Sequence, residues 1–222
     1  MSESSFENAW NELAPAVRRS LVLAHETLSA GGLAVGSVIT DANGTIVAEG
    51  RNRAYDPATG TDRLERTPLA HAELNALAQL ATDDETAGLT IWSTQQPCSM
   101  CSAAIAFVGI PHVNVVATDP SDPTRRIEET LDDVWVQLAT VMFLIGPLRI
   151  GGTEQSIVQA NRDLEPEAIA LAQRCVTTID DPLTDSRTLV DALPAIWDDL
   201  DTAAHSRRQR RASPQAPDTT AP

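Results

Sequence analysis

Two short segments hold the residue types from which a reactive centre can be built: His71-Ala72-Glu73 and Pro97-Cys98-Ser99-Met100-Cys101. Taken singly, neither says much. A His two residues before a Glu recurs by chance, and a Cys-x-x-Cys pair serves as a redox couple, as half of a structural zinc site, or as nothing at all. Each segment, however, stands where a helix is expected to begin, and together they have a chemistry. Cys98 and Cys101 are spaced i, i+3, so both sulfurs leave one face of a first helical turn. A helix N-terminus favours the thiolate, the form that binds metal. His71 adds a third donor from the start of the other helix. Three protein donors leave one tetrahedral position for water, which is the arrangement of a catalytic zinc rather than a structural one. No fourth Cys closes the set, and nothing in the spacing of His25 or His112 recommends either as a fourth ligand.

Charge then gives Glu73 a task. Two thiolates neutralise Zn²⁺, so such an ion acidifies its water less than an all-histidine site does, and a nearby base is needed. Glu73 can take that proton, pass it to a ring nitrogen and later deliver one to a departing amine. As a fourth ligand it would displace the nucleophile. Cys175 stands alone in an apolar helical pattern and reads as a buried small hydrophobe.

The elements that must hold these residues follow from periodicity. Apolar positions at helical spacing (Trp10, Leu13, Val17, Leu21, Leu28) predict one helix over 6–31, ending at Gly31-Gly32. Residues 34–40 and 45–49 read as strands joined at Asn43-Gly44, a hairpin signal. A polar loop over 51–69 precedes a helix at 70–81, a strand at 89–94, a helix at 100–108 and a strand at 112–117. The order is α-β-β-α-β-α-β, a sheet flanked by helices. Beyond Asp119 the spacing predicts a helix over 127–145 that ends in a short strand before Gly146-Pro147. A helix at 165–176, with Pro166 in its first turn, and a helix at 189–203, interrupted at Pro194, follow. Residues 205–222 lack periodicity and read as a disordered tail. The expected organisation is thus a domain over 1–155, a helical extension packed on it over 156–204, and the tail.

His71-Ala-Glu73 followed by Pro97-Cys98-x-x-Cys101 resembles the H-x-E…P-C-x-x-C signature of the zinc nucleobase deaminases, the cytidine/deoxycytidylate deaminase-like superfamily. Val35-Gly36-Ser37-Val38-Ile39, Gly50-Arg51-Asn52 and Thr90-Ile-Trp-Ser-Thr94 resemble the family's first three strands. Met100 between the cysteines resembles the branch of guanine deaminases and tRNA adenosine deaminases. The likeness runs over residues 5–120. It implies a three-layer sandwich with a mixed central sheet and helices on both faces, with the C-terminal helices as an addition. It makes His71, Cys98 and Cys101 zinc ligands and Glu73 the proton shuttle. It also implies that Asn52 hydrogen-bonds the substrate, that Val35 lines the base pocket, and that the chain is a homodimer. The sequence departs from the pattern at Gln96, where the branch usually has Glu, and in the long loop from Arg53 to Leu69, a candidate lid. The residues after Asp119 match nothing in the pattern.

Composition narrows the substrate. The net charge is −15, and all 16 basic residues are Arg. The last 18 residues carry four Arg (207, 208, 210, 211) against Asp218, a balance of +3 that leaves residues 1–204 at −18. A body this acidic repels a phosphate backbone, so small neutral ligands fit better than nucleic acid. The Arg207–Arg211 cluster reads as solvated tail. The opening residues carry acids rather than a basic flank and an apolar block, unlike a signal peptide. The apolar run 134–145 is too short to span a bilayer. A cytoplasmic protein with no membrane contact is expected. Trp92 reads as packing, and the run around Trp135 and Phe143 as core or subunit interface. The combined expectation is a hydrolytic deaminase of a small free nucleobase or related amino-heterocycle (a guanine-like aminopurine, an aminopyrimidine or an amino-triazine). The alternatives are a tRNA adenosine deaminase and an inert zinc module, and the intact Glu73 weighs against the latter.

Overall fold

The computed structural model describes residues 5–57, 64–120 and 127–213. Its first helical stretch is two helices, α1 (Ser5–Glu12) and α2 (Pro15–Ser29), rather than the single one expected. Pro15 is the cause. It cannot donate an N–H to a helix running through it, and it holds Ala14 extended (φ −55°, ψ 141°), yet it suits the first turn of α2.

The hairpin forms as the Asn-Gly signal predicts, with β1 (Gly36–Thr40) antiparallel to β2 (Ile46–Arg51). Asp41 Oδ1 accepts from the Asn43 and Thr45 backbone N–H groups at 2.9 and 2.8 Å, and Gly44 takes φ +80°. The chain continues through α3 (Ala72–Leu77), β3 (Thr90–Gln95), α4 (Ser99–Val108) and β4 (His112–Ala117). The sheet order is β2-β1-β3-β4, with β3 antiparallel to β1 and parallel to β4.

Two glycines seat helices on opposite faces of this mixed sheet. A Cβ on Gly36 would lie 2.1 Å from Ser20 O of α2, and one on Gly50 would lie 2.4 Å from Ala72 O of α3. Because Gly36 pairs with Arg51 and Ser37 with Gly50 across the hairpin, the two glycines face opposite ways. The α3/α4 face buries Ile39, Ala48, Leu77, Ile91 and Ile105. The other face, under α2, is continuous with the larger core of the C-terminal helices. The result is the expected three-layer sandwich.

That larger core is built on α5 (Asp133–Gly151), which packs against β4, α2, α7 (Pro166–Thr177) and α9 (Leu189–Ala212). The short helices α6 (Ser156–Asn161) and α8 (Pro182–Asp185) complete the layer. The strand expected before Gly146-Pro147 does not form: α5 runs through both residues and is followed by a 3-10 turn at Gly152–Glu154. Asp132 caps its start, accepting from Val134 N–H at 3.2 Å, and the helix is buried on nearly every side. With that turn the segment is long and apolar enough to cross a membrane, which the run 134–145 alone is not, but most of it is buried inside the protein.

The tail is the largest correction. Helix α9 passes Pro194 unbroken and carries on to Ala212, through eight residues expected to be disordered; residues 214–222 lie outside the described residues. Arg207 is 1% exposed. Its guanidinium bonds Glu165 (Nε to Oε2, 2.8 Å; Nη2 to Oε1, 2.6 Å), Glu129 (Nη2 to Oε2, 2.9 Å) and Asp133. Arg208 pairs with Asp132, Arg210 with Glu167, and Arg211 with Glu129. The basic cluster is therefore an internal clamp that neutralises acids of α5, α7 and the segment before α5.

Trp92 and Trp135 pack as expected. Trp135 sits between Trp10 and Trp197, with ring centroids 5.8 and 5.4 Å apart. Cys175 is buried, and that burial pushes its thiol up to about 12.

Candidate active site

His71 and Cys98 occupy the same structural position on two helices: each is the extended residue that precedes the first turn, of α3 and α4 respectively. Glu73 and Cys101 follow inside those turns. Gly50 allows this, because only a residue without a Cβ lets α3 lie close enough to the sheet to bring His71 beside the cysteines. His71 Nδ1 is 3.7 Å from Cys98 Sγ and 3.5 Å from Cys101 Sγ, and the three donor atoms lie within 4.8 Å of one another. A tetrahedral ion with Zn–S of about 2.3 Å and Zn–N of about 2.0–2.1 Å has N···S edges of about 3.6 Å. The residues fit zinc. Burial first, then the charges of Glu73 and Cys98, pushes the Cys101 thiol far up, and a cation between the donors is what reverses that.

Glu73 is 3% exposed and accepts from Ser93 Oγ of β3 at 3.3 Å. Burial raises its carboxyl above the usual carboxylate range, opposed in part by its own backbone N–H, by His71, by Cys101 and by Ser93. His25, by contrast, is a core residue whose ring meets Leu183 O at 3.0 Å, and burial lowers its pKa. His112 is exposed. Neither joins the centre.

A cavity of about 160 Å³ opens onto the donors. Its wall includes His71, Glu73 and Cys98, with Asn52 and Val35, so the structure brings the sequence-chosen residues to one place. Asn52 N–H donates to Val35 O at 2.9 Å, and its Oδ1 accepts from Ala54 N–H at 3.0 Å. The loop beyond it is stapled at both ends, Arg51 and Arg53 to Asp56 and Arg53 to Glu65. Its centre, residues 58–63, lies outside the described residues, and with it much of the candidate lid.

Sequence reasoning missed the rest of the wall. Gln95 and Asp119 stand at the carboxyl ends of the parallel pair β3 and β4, where α/β sheets present ligand-binding groups. Two consecutive glutamines closing an apolar strand were a readable signal. Phe143 of α5 and Ile157 of α6 also line the cavity; Phe143 packs against the large core as expected and at the same time presents a face to the cavity. A second cavity of about 260 Å³, walled by Tyr55, Pro147 and Ile150, shares Leu33 and Ile157 with the first.

The fold and this donor set define a zinc-site class: three protein donors, one open position, and a buried carboxyl beside it, on an α/β sandwich. Residues 11–117 match the family model described as the cytidine and deoxycytidylate deaminase zinc-binding region. Over that stretch, a little under half of the chain, the sequence is similar to the cytidine deaminase-like superfamily in its zinc-binding region.

Among curated relatives, the chain is 31% identical over 106 residues to the tRNA-specific adenosine deaminase of Haemophilus influenzae (46% of this chain, 57% of the relative). It is 30% identical over 93 residues to the cytosine deaminase of Candida albicans (40% and 56%). It is 32% identical over 140 residues to the tRNA(Ile)-lysidine synthase of Deinococcus radiodurans (61% and 22%). The chain thus spans little more than half the length of these relatives at most. Solved structures similar to it include the guanine deaminase of Bacillus subtilis (24% identity, 52% of this chain and 80% of that one, TM-score 0.40). The guanine deaminase of Nitrosomonas europaea is another (22% identity, 78% and 93%, TM-score 0.41).

Proposed function

We propose that this chain is a zinc-dependent hydrolytic deaminase of a small free nucleobase or related amino-heterocycle, a guanine-like aminopurine, an aminopyrimidine or an amino-triazine, releasing ammonia. The observation that carries this reading is the convergence of His71, Glu73, Cys98, Asn52 and Val35 on one small cavity. Cys101 completes the donor set from beneath.

In this reading His71, Cys98 and Cys101 hold the ion, which when bound activates water for attack on the ring carbon bearing the amino group. Glu73 accepts the water's proton and hands it to the ring nitrogen. It then takes the proton of the hydroxyl now on that carbon and delivers it to the amine, so that the C–N bond breaks, C=O replaces C–NH₂ and ammonia leaves. A buried carboxyl with a raised pKa suits a group that must both take and give a proton. Asn52 hydrogen-bonds the ring, and Val35 packs against it.

Cavity size and charge favour a free ring. About 160 Å³ is below the ~300–1,000 Å³ of drug-sized ligand sites. The C-terminal arginines that could meet phosphate are already paired with the chain's own acids. Identity to a tRNA-specific adenosine deaminase keeps an RNA substrate as the second reading. A homodimer in the cytoplasm belongs to the first; Phe107 on α4 is 93% exposed, and all three cysteines are free.

Ammonia release by the zinc-loaded protein is the test. The panel is guanine, adenine, cytosine, amino-triazines and an adenosine-containing stem-loop. Turnover of free bases, lost by about 10²–10⁴-fold in Glu73→Ala with zinc retained, is the expected result. Turnover of the stem-loop alone would favour the RNA reading.

A further inference from the structure

Gln96 and Asp119 line the cavity from the carboxyl ends of β3 and β4, and both strand ends are held from behind by one short segment. Gln96 N–H donates to Ala117 O at 2.9 Å, which joins the two ends to each other. Ile127 N–H donates to Gln96 Oε1 at 3.3 Å. Two residues on, Glu129 Oε1 accepts from Thr118 N–H at 3.2 Å and from Thr118 Oγ1 at 3.0 Å. Thr118 immediately precedes Asp119 but is not among the residues that line the cavity. Residues 127–129 therefore brace the end of each parallel strand at the cavity wall.

The brace is held in turn by α9. Glu129 Oε2 accepts from Arg207 Nη2 at 2.9 Å and from Arg211 Nη1 at 2.8 Å, and Oε1 also receives Arg207 Nη2 at 3.2 Å. Arg207 is not free to follow a moving Glu129, because the same guanidinium bonds Glu165 and Asp133. The side chains of Arg207 and Glu129 are 2% and 7% exposed. Charge neutralisation alone would need only the arginines. Instead the carboxylate shares its lone pairs between two directions, a threonine beside the cavity wall and two arginines of the C-terminal helix. Among the described residues, none of the brace's hydrogen bonds goes to His71, Glu73, Cys98 or Cys101.

We infer that Glu129 is a positioning residue: through Thr118 it sets where the Gln96 and Asp119 wall of the cavity stands, and α9 holds it there through Arg207 and Arg211. The inference rests on the proposed function, in which that wall meets the ring while the reaction takes place at the His71/Cys98/Cys101 end. It deepens that reading by making the C-terminal layer part of how the ring is held, beyond its part in the core. Because the brace touches the wall and not the donors, its loss should weaken ring binding and spare the chemical step.

Thr118→Val keeps the β-branched shape and deletes the hydroxyl that Glu129 receives, whereas Thr118→Ser keeps the hydroxyl. Steady-state kinetics on the zinc-loaded protein use whichever ring of the guanine, adenine, cytosine and amino-triazine panel it turns over. KM is expected to rise about fivefold in Thr118→Val, with kcat, zinc content and Tm little changed, and Thr118→Ser should match the parent. Arg207→Lys keeps the charge but loses the fork that spans Glu129, Glu165 and Asp133, so it should raise KM as well. Combined with Thr118→Val it should raise KM by less than the product of the two single effects, because both act through Glu129. Thr118→Val decides alone if Arg207→Lys does not fold. An unchanged KM in Thr118→Val, an equal rise in Thr118→Ser, a loss in kcat instead, or single effects that multiply would overturn the inference. If the parent turns over no ring, the deaminase reading falls and amide hydrogen exchange still reads the brace. Thr118→Val should then speed exchange at Gln96 and Ile127 by about fivefold or more, with β1 and β2 as in the parent. No local change there would overturn the inference as well.

Discussion

Ser93 on the central strand β3 donates its hydroxyl to Glu73 Oε1 at 3.3 Å, and both side chains are almost fully buried. The bond links the sheet to the first turn of α3, so it fixes where the carboxyl sits relative to the three donors. Ser93→Ala removes it while leaving the backbone and the donors alone. The expected result is a kcat lower by about fivefold, with KM and zinc content nearly unchanged, as loss of about 1 kcal/mol from one hydrogen bond dictates. Steady-state ammonia release alongside metal analysis checks this.

Gly50→Ala tests the seat of α3. The new Cβ would stand 2.4 Å from Ala72 O and 2.5 Å from Ala76 N, both backbone atoms that can yield only if the helix moves. Destabilisation of about 1–3 kcal/mol is expected from overpacking alone. Because His71 and Glu73 ride on α3, zinc affinity should fall as well. Denaturant unfolding and a zinc competition titration report the two effects separately. A variant with normal zinc affinity would detach the seat from the site.

Removing the metal should loosen the protein as well as silence it. The donors stand at the starts of α3 and α4, so an ion held by them ties the two helices together. A chelator is expected to lower Tm and to abolish ammonia release, with both restored by added zinc. Cys175→Ala should keep the parent's metal content, since Cys175 lies in the α7 core rather than among the donors. Equal melting with and without chelator would mean the ion contributes nothing to the fold.

Acid should act through the Arg207 clamp. Burial alone would raise the Glu129 carboxyl, but Arg207 and Arg211 outweigh it and hold it below its ordinary value. A carboxylate with a lowered pKa stabilises the fold above the unfolded value of about 4.5, and that stability is lost as pH falls below it. Arg207→Ala leaves only Arg211 and Thr118 to oppose burial, so the folded pKa of Glu129 rises and the stability this carboxylate contributes shrinks. The variant should be about 3–5 kcal/mol less stable near neutrality. Melting curves from pH 4 to pH 8 should show the gap to wild type narrowing as pH falls. A gap independent of pH would remove Glu129 from the account.

The local part of the site was legible in the sequence because its chemistry is local. His71 and Glu73, and Cys98 and Cys101, each share one helical turn, while Asn52 and Val35 were reachable only through the resemblance of Gly50-Arg51-Asn52 and Val35–Ile39 to the family's strands. The far wall of the cavity was not legible. Phe143 and Ile157 reach it from helices whose position depends on how the C-terminal layer packs, and no spacing within the chain reports that. The short strand expected before Gly146-Pro147 failed for a similar reason. Those residues ordinarily end an element, but burial of α5 on nearly every side holds the helix together across them. Arg207 was misread because its acids stand far back along the chain, so a segment without periodicity of its own is held in a helix by charges outside any local window.

Those separations also bear on the order in which the molecule can form. Arg207 meets Glu165, Asp133 and Glu129 at sequence separations of 42, 74 and 78 residues, so closing the clamp requires large loops to have closed first. The hairpin and the short β3-α4-β4 crossover need no such distant partner. Folding is therefore expected to begin in the hairpin and in the β3-α4-β4 unit that carries the two cysteine donors, and to finish in the helical layer that walls the cavity. The metal-binding half would then take shape before the half that selects what it acts on.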